Sequence, residues 1–102
     1  MNTTNSSKPR VPKRFELFNH TIRVKQNPSR LPLDCSGEAL YNKNEINIYT
    51  YDTDPAVLEH VFYHELVHFL LHYAGRQDLS DDEILVDTLG GLLAQYEATK
   101  RP

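Results

Sequence analysis

The stretch from Asp54 to Gly75 constrains this chain more than any other. Asp54-Pro55 is a helix start signal: an acid at the N-cap, then the residue whose fixed φ suits the first helical position. Gly75 supplies the stop. Between them Val57, Leu58, Val61, Phe62, Leu66, Val67, Phe69, Leu70 and Leu71 fall nearly all round the helix. It is therefore expected to be the buried centre of the domain. The same helix also carries His60, His64, Glu65, His68 and His72. Burying imidazoles and a carboxylate is costly unless something compensates them.

Spacing decides which of these polar residues act together. His64 and His68 are one turn apart, so their rings project from one face and can share a tetrahedral ion at about 2.0–2.1 Å. Glu65 points to the side of that pair, where it can take a proton from water activated by the ion. His64-Glu65-Leu66-Val67-His68 is thus an H-E-x-x-H helix, the arrangement of zinc peptidases. A purely structural ion has no use for the extra carboxylate. The competing reading is a zinc-binding interaction module that has lost, or never had, peptidase activity.

Such a site needs a third protein ligand. His72 lies about 12 Å along the axis from His64, out of reach on an intact helix. His60 is one turn too early. The search moves to a second helix, expected from Ser80 to about Thr99, on which Leu85, Leu89, Leu92 and Tyr96 recur at helical spacing. Its Glu83 and Asp87 share one face. Glu83 is expected to complete the ligand set, with Asp87 accepting a hydrogen bond from the outer nitrogen of a ligating histidine. The rival is a capping box, Ser80-Asp81-Asp82-Glu83, stapled by Leu79 and Ile84. Glu83 would then only cap the helix, leaving Asp87 as ligand. Gly90-Gly91, costly inside a helix, is expected to let the two helices approach closely.

Upstream, Phe15 and Leu17, then Ile22 and Val24, alternate around Asn19-His20 and predict a β-hairpin. Pro28, Pro32, Ser36 and Gly37 mark a loop over residues 27–38. A further strand is expected over Glu45–Tyr51, as an edge strand, with Leu40-Tyr41 pairing to it. The fold class is α+β: a short twisted sheet of three to four strands packed on the active-site helix and a C-terminal helix. Residues 1–14, polar and proline-punctuated, read as a loosely attached tail, and 15–102 as one domain.

A net charge of −3 gives the chain no general case for binding nucleic acid, and the basic residues Lys8, Arg10, Lys13 and Arg14 read as solvated. One cysteine, Cys35, allows no intramolecular disulfide, and the first ten residues hold no apolar signal segment. No apolar run approaches the roughly 20 residues that span a bilayer. A cytoplasmic location is the expectation.

His64-Glu65-Leu66-Val67-His68 followed by Glu83-x-x-x-Asp87 resembles the gluzincin metallopeptidases. More narrowly it is similar to the minimal zincin-like proteins of phages and mobile elements related to the ImmA/IrrE family. The hairpin Phe15–Val24, Gly37, the strand Asn44–Tyr49 and Leu85-Val86-Asp87 fit that group, so the likeness spans roughly residues 13–98. Asp87 stands where ImmA-type sequences often carry Asn, and the chain holds no helix-turn-helix domain. The resemblance implies a cytoplasmic zinc peptidase. Its substrate is a protein or peptide added as a strand at the sheet edge near Ile46–Tyr51, and in ImmA-type proteins it is a repressor. Peptide deformylases also pair a cysteine with H-E-x-x-H, but no Gly-x-Gly-Leu-Ala segment precedes Cys35, which reads as a loop thiol. Larger gluzincins stabilise the oxyanion from a C-terminal domain. Tyr63, His72, Tyr73, Arg76 and Tyr96 are the candidates here, each also readable as packing or surface.

Overall fold

Three layers stack on one another: a four-stranded sheet, the long central helix, and the C-terminal helix. The structure is a computed structural model and describes residues 10–28, 36–50 and 54–102. In chain order the elements are β1 (Arg14–Leu17), β2 (His20–Asn27), β3 (Gly37–Leu40), β4 (Glu45–Tyr49), α1 (Pro55–Tyr73), α2 (Gln77–Ser80) and α3 (Glu83–Thr99). The fold is α+β, as the alternating and helical periods predict.

The β1–β2 hairpin closes through Phe18 and Asn19, both at positive φ (49° and 65°), the pattern of a type I′ turn matched to strand twist. Ile22 and Val24 of β2 point inward while Arg23 and Lys25 face solvent. Ile46 and Ile48 of β4 do the same, so the period-two pattern fixes which face meets the helix. β3 turns into β4 through a 3-10 turn at Tyr41–Lys43, closed by Asn44 in the left-handed region (φ 52°). The side chain of Asn44 accepts a hydrogen bond from the Tyr73 hydroxyl at 3.0 Å, tying this turn to the end of α1.

Sheet order is β1-β2-β4-β3, with β2 and β4 parallel and the other pairs antiparallel. This corrects the expectation of an edge strand over Glu45–Tyr51. β4 lies inside the sheet because its two apolar residues need cover from both neighbours, and β3 takes the edge. Tyr51 lies outside the described residues, as does Cys35. A second correction concerns the N-terminus. Of the tail expected over residues 1–14, residues 10–14 are held in place. Arg10 N–H donates to Glu59 Oε2 at 2.8 Å, Val11 packs on the core, and Lys13 C=O accepts from Val24 N–H at 2.9 Å. Residues 1–9 lie outside the described residues.

α1 begins as Asp54-Pro55 dictates, with the Asp54 carboxylate accepting from Ala56 N–H at 3.2 Å. Leu58, Phe62, Glu65 and Phe69, spaced by four, three and four residues, form its sheet-facing stripe. Leu58, Phe62 and Phe69 meet Ile22, Val24, Ile46 and Ile48 to make the core. The helix is not covered all round: Val57 and Leu70 stay partly exposed. Gly75, at φ 72°, ends it.

The C-terminal helix expected from Ser80 to about Thr99 begins three residues later, after a short separate helix. α2 ends at Ser80, which is buried, and α3 starts at Glu83 with Asp82 as its cap, accepting from Leu85 N–H at 3.1 Å. The capping box is therefore not made, and Ile84 is too exposed to staple anything. Among the described residues, no helix is long and apolar enough to cross a membrane.

α3 approaches α1 closely at Gly90. A Cβ there would stand 2.8 Å from both N and Cα of His64, whereas one at Gly91 would meet only the His60 ring at 3.4 Å. Of the two glycines, Gly90 alone carries the close approach. Gly90→Ala is expected to push α3 off α1 and destabilise the protein by about 1–3 kcal/mol. Gly91→Ala should be neutral or stabilising by up to about 1 kcal/mol through helix propensity. Urea unfolding of the two variants measures the difference.

Candidate metal centre

The two histidines of the motif stand on the α1 face next to the core stripe, turned toward α2 and α3. Their rings lie 5.1 Å apart, centroid to centroid. Glu83, the first residue of α3, sets its carboxylate against both. Oε1 is 3.2 Å from His64 Nε2 and Oε2 is 3.4 Å from His68 Nε2. Ligand atoms bonded at about 2.0–2.2 Å in a tetrahedral site lie about 3.3–3.6 Å apart, so these separations match those around a shared ion. His64, His68 and Glu83 offer ligand atoms within 4.8 Å of one another, and the group could hold a metal ion.

The outer ring nitrogens are also held. Asp87 Oδ1 lies 3.0 Å from His64 Nδ1, the contact expected of Asp87 from the sequence. Nδ1–H donating to this carboxylate leaves Nε2 with its lone pair toward Glu83. Bonding to His64 holds the Asp87 carboxyl below its usual range, with His60 adding to the effect. His68 Nδ1 is 2.8 Å from Ser80 Oγ, and the serine is nearly inaccessible. Sequence reading gave Ser80 to a helix cap. The signal that finds its role is that Asp82 is the better cap, which frees the serine for His68. Tyr41 O–H stands 3.5 Å beyond Ser80 Oγ. Burial pulls the His68 pKa down, opposed by the Glu83 charge. The imidazole is thereby favoured in the neutral form that a metal requires.

Glu65 does not join the three. It occupies the core stripe of α1 and is 7% exposed. Burial pushes its carboxyl up to about 7; the His64 ring opposes the rise, and the Glu83 and Glu38 charges add to it. Gly37 of β3 leaves the space for it: a Cβ there would come within 2.7 Å of Val61 Cγ1 and 3.3 Å of Glu65 Cγ. Glu65 and His64 open onto a cleft of about 500 Å³ whose other walls include Ser36, Gly37, Val57, Val61, His60 and Asp87.

The remaining histidines and aromatics have other employment. His60 Nε2 is 3.1 Å from Asp87 Oδ1, so one carboxylate oxygen touches both His60 and His64. His72 stacks on Tyr41 at 4.2 Å between ring centres. Arg76 is paired with Asp78, Tyr63 packs edge-on against Phe62, and Tyr96 is exposed. None of the five oxyanion candidates is among the residues lining the cleft.

Fold and site together define a small α+β protein with a His-His-Glu group suited to a metal ion. Comparison with protein-family models, with curated proteins and with solved structures finds no match.

Two outcomes follow from the site. Ser80→Ala should lower metal affinity 10–100-fold while leaving one ion per chain, as loss of a partner behind a ligand does. Glu83→Ala should abolish stoichiometric binding. Titration calorimetry with Zn²⁺ separates the two.

In metal-free protein, the folded state binds the Glu65 proton more tightly than the unfolded state, where the group titrates near 4.5. Its contribution to stability is therefore lost as pH rises from about 4.5 to about 7, on the order of a few kcal/mol. His68, shifted down, acts oppositely near its own titration. The difference between wild type and Glu65→Gln, read by chemical unfolding across this window, isolates the carboxyl.

Proposed function

We propose that this chain is a zinc-dependent metallopeptidase that hydrolyses a peptide bond in a specific protein substrate, as its resemblance to the minimal ImmA/IrrE-related zincins of phages and mobile elements implies. The observation that carries the reading is a His64–His68–Glu83 group whose His64 lines one cleft with a separate buried carboxylate, Glu65. A structural ion is closed by four protein ligands and has no use for a carboxylate beside them.

The donor set of two imidazoles and one carboxylate suits zinc with an open fourth position. An ion held by His64, His68 and Glu83 would lower the pKa of a bound water and polarise a carbonyl. Glu65 accepts the proton of the attacking water and returns it to the departing amine nitrogen as the C–N bond breaks. Asp87 and Ser80 hold the two rings so that neither turns as charge develops. β3, whose Ser36–Gly37 end borders the cleft, is the edge along which an extended peptide would add by main-chain pairing. A repressor-type regulator is the substrate class proposed, and the cytoplasm the compartment.

Purified protein should carry one zinc per chain by metal analysis. Glu65→Gln should retain that zinc and lose cleavage of a co-expressed substrate by at least about 10³-fold. An unchanged biological effect of Glu65→Gln leaves only the zinc-binding interaction module, and undiminished cleavage removes Glu65 as the base.

A further inference from the structure

α3 carries more apolar surface than its packing on α1 uses. Val86 and Gly90 are its buried positions, and Gly90 meets the backbone of α1. Leu85, Leu89, Leu92 and Tyr96 form a second stripe, centred about 110° round the helix from that face at 100° per residue. Leu89 is 36%, Leu92 59% and Tyr96 60% exposed, while Leu85 is half-buried. The stripe points away from Glu83 and Asp87, so covering it leaves the cleft open. Its steps of four, three and four residues are those of a coiled-coil seam, which is completed by another helix.

We propose that this stripe is the interface of a two-fold symmetric homodimer in which α3 of one copy lies antiparallel to α3 of a second. Two-fold symmetry lets one register cover every position. Leu89 then faces Leu92 of the second copy, and Leu85 faces its Tyr96, each layer setting a large side chain against another. The same register brings Asp81 opposite Lys100 of the second copy, with Asp82 and Arg101 beside them. The chain thus carries acid at the start of α3 and base just after its end, at the separation an antiparallel pair needs. A parallel pair would set acid on acid and base on base. Lys100 and Arg101 are exposed, the former paired with Glu97 and the latter with main-chain carbonyls of its own turn, so both can turn to a partner. Antiparallel helices also oppose their dipoles favourably.

One pair of helices about 25 Å long buries less than a standard interface, so the dimer should dissociate in the micromolar to submillimolar range. Sedimentation of the zinc-loaded chain from about 10 µM to about 1 mM reads this directly. Wild type is expected to shift from monomer to dimer across the range. Leu92→Glu should stay monomeric with unchanged helix content and zinc stoichiometry. Asp81→Lys should weaken the dimer at least about tenfold, and Asp81→Lys with Lys100→Asp should restore it. A wild type monomeric throughout overturns the proposal, including the case in which the stripe binds only a different protein. So does a dimer that survives Leu92→Glu, or a charge swap that fails to rescue.

Discussion

Everything at the centre depends on how closely α3 lies on α1. At Gly90 the two backbones come so near that not even a methyl group fits over His64. This contact determines where Asp87 and Glu83 stand, one turn and two turns back along α3. Glu83 reaches both inner ring nitrogens and Asp87 reaches the outer nitrogen of His64 only because the helix axes are this close. The polar residues of a buried helix are thus compensated by groups from the next helix. Their compensation is the site.

The sheet has a separate task. It buries the opposite face of α1 and, through Gly37, makes room for a carboxylate in a stripe that is otherwise Leu58, Phe62 and Phe69. Glu65 interrupts the core where a further apolar residue would pack better, and the cost appears as a carboxyl titrating near 7. Stability given up at one position of a core is common where chemistry is done. Two neighbours in sequence, His64 and Glu65, therefore face different layers, one toward α3 and one toward the strands.

Much of this was legible in the residues. Asp54-Pro55, Gly75 and the apolar density between them mark α1 because cap chemistry and period are local properties. The i, i+4 spacing places His64 and His68 on one face, and the E-x-x-x-D spacing brings Glu83 and Asp87 together for the same reason. What escaped reading depends on tertiary context. β4 reads as an edge strand by its alternation, yet strand order is set by which neighbours cover it, and alternation carries no information about order. Ser80 reads as a cap because Ser-x-x-Glu is a cap pattern. Asp82, two residues on, takes that task, and only the position of His68 reveals what the serine does. The stripe Leu85, Leu89, Leu92 and Tyr96 was visible as a period, but not as a surface facing away from the core.

All five side chains that meet the ligand atoms or hold the rings, His64, His68, Ser80, Glu83 and Asp87, fall within one short run of the chain. None comes from the sheet. An ion held by these groups would bridge α1 and α3 across a loop of fewer than 20 residues, whose closure costs little entropy. The helical hairpin thus carries every group that could hold the ion, and the strands enclose the Glu65 carboxyl. Ser80 behind His68 and Gly37 beside Glu65 act on the site from different layers, although the His64 and Glu83 charges reach Glu65 from the helices as well.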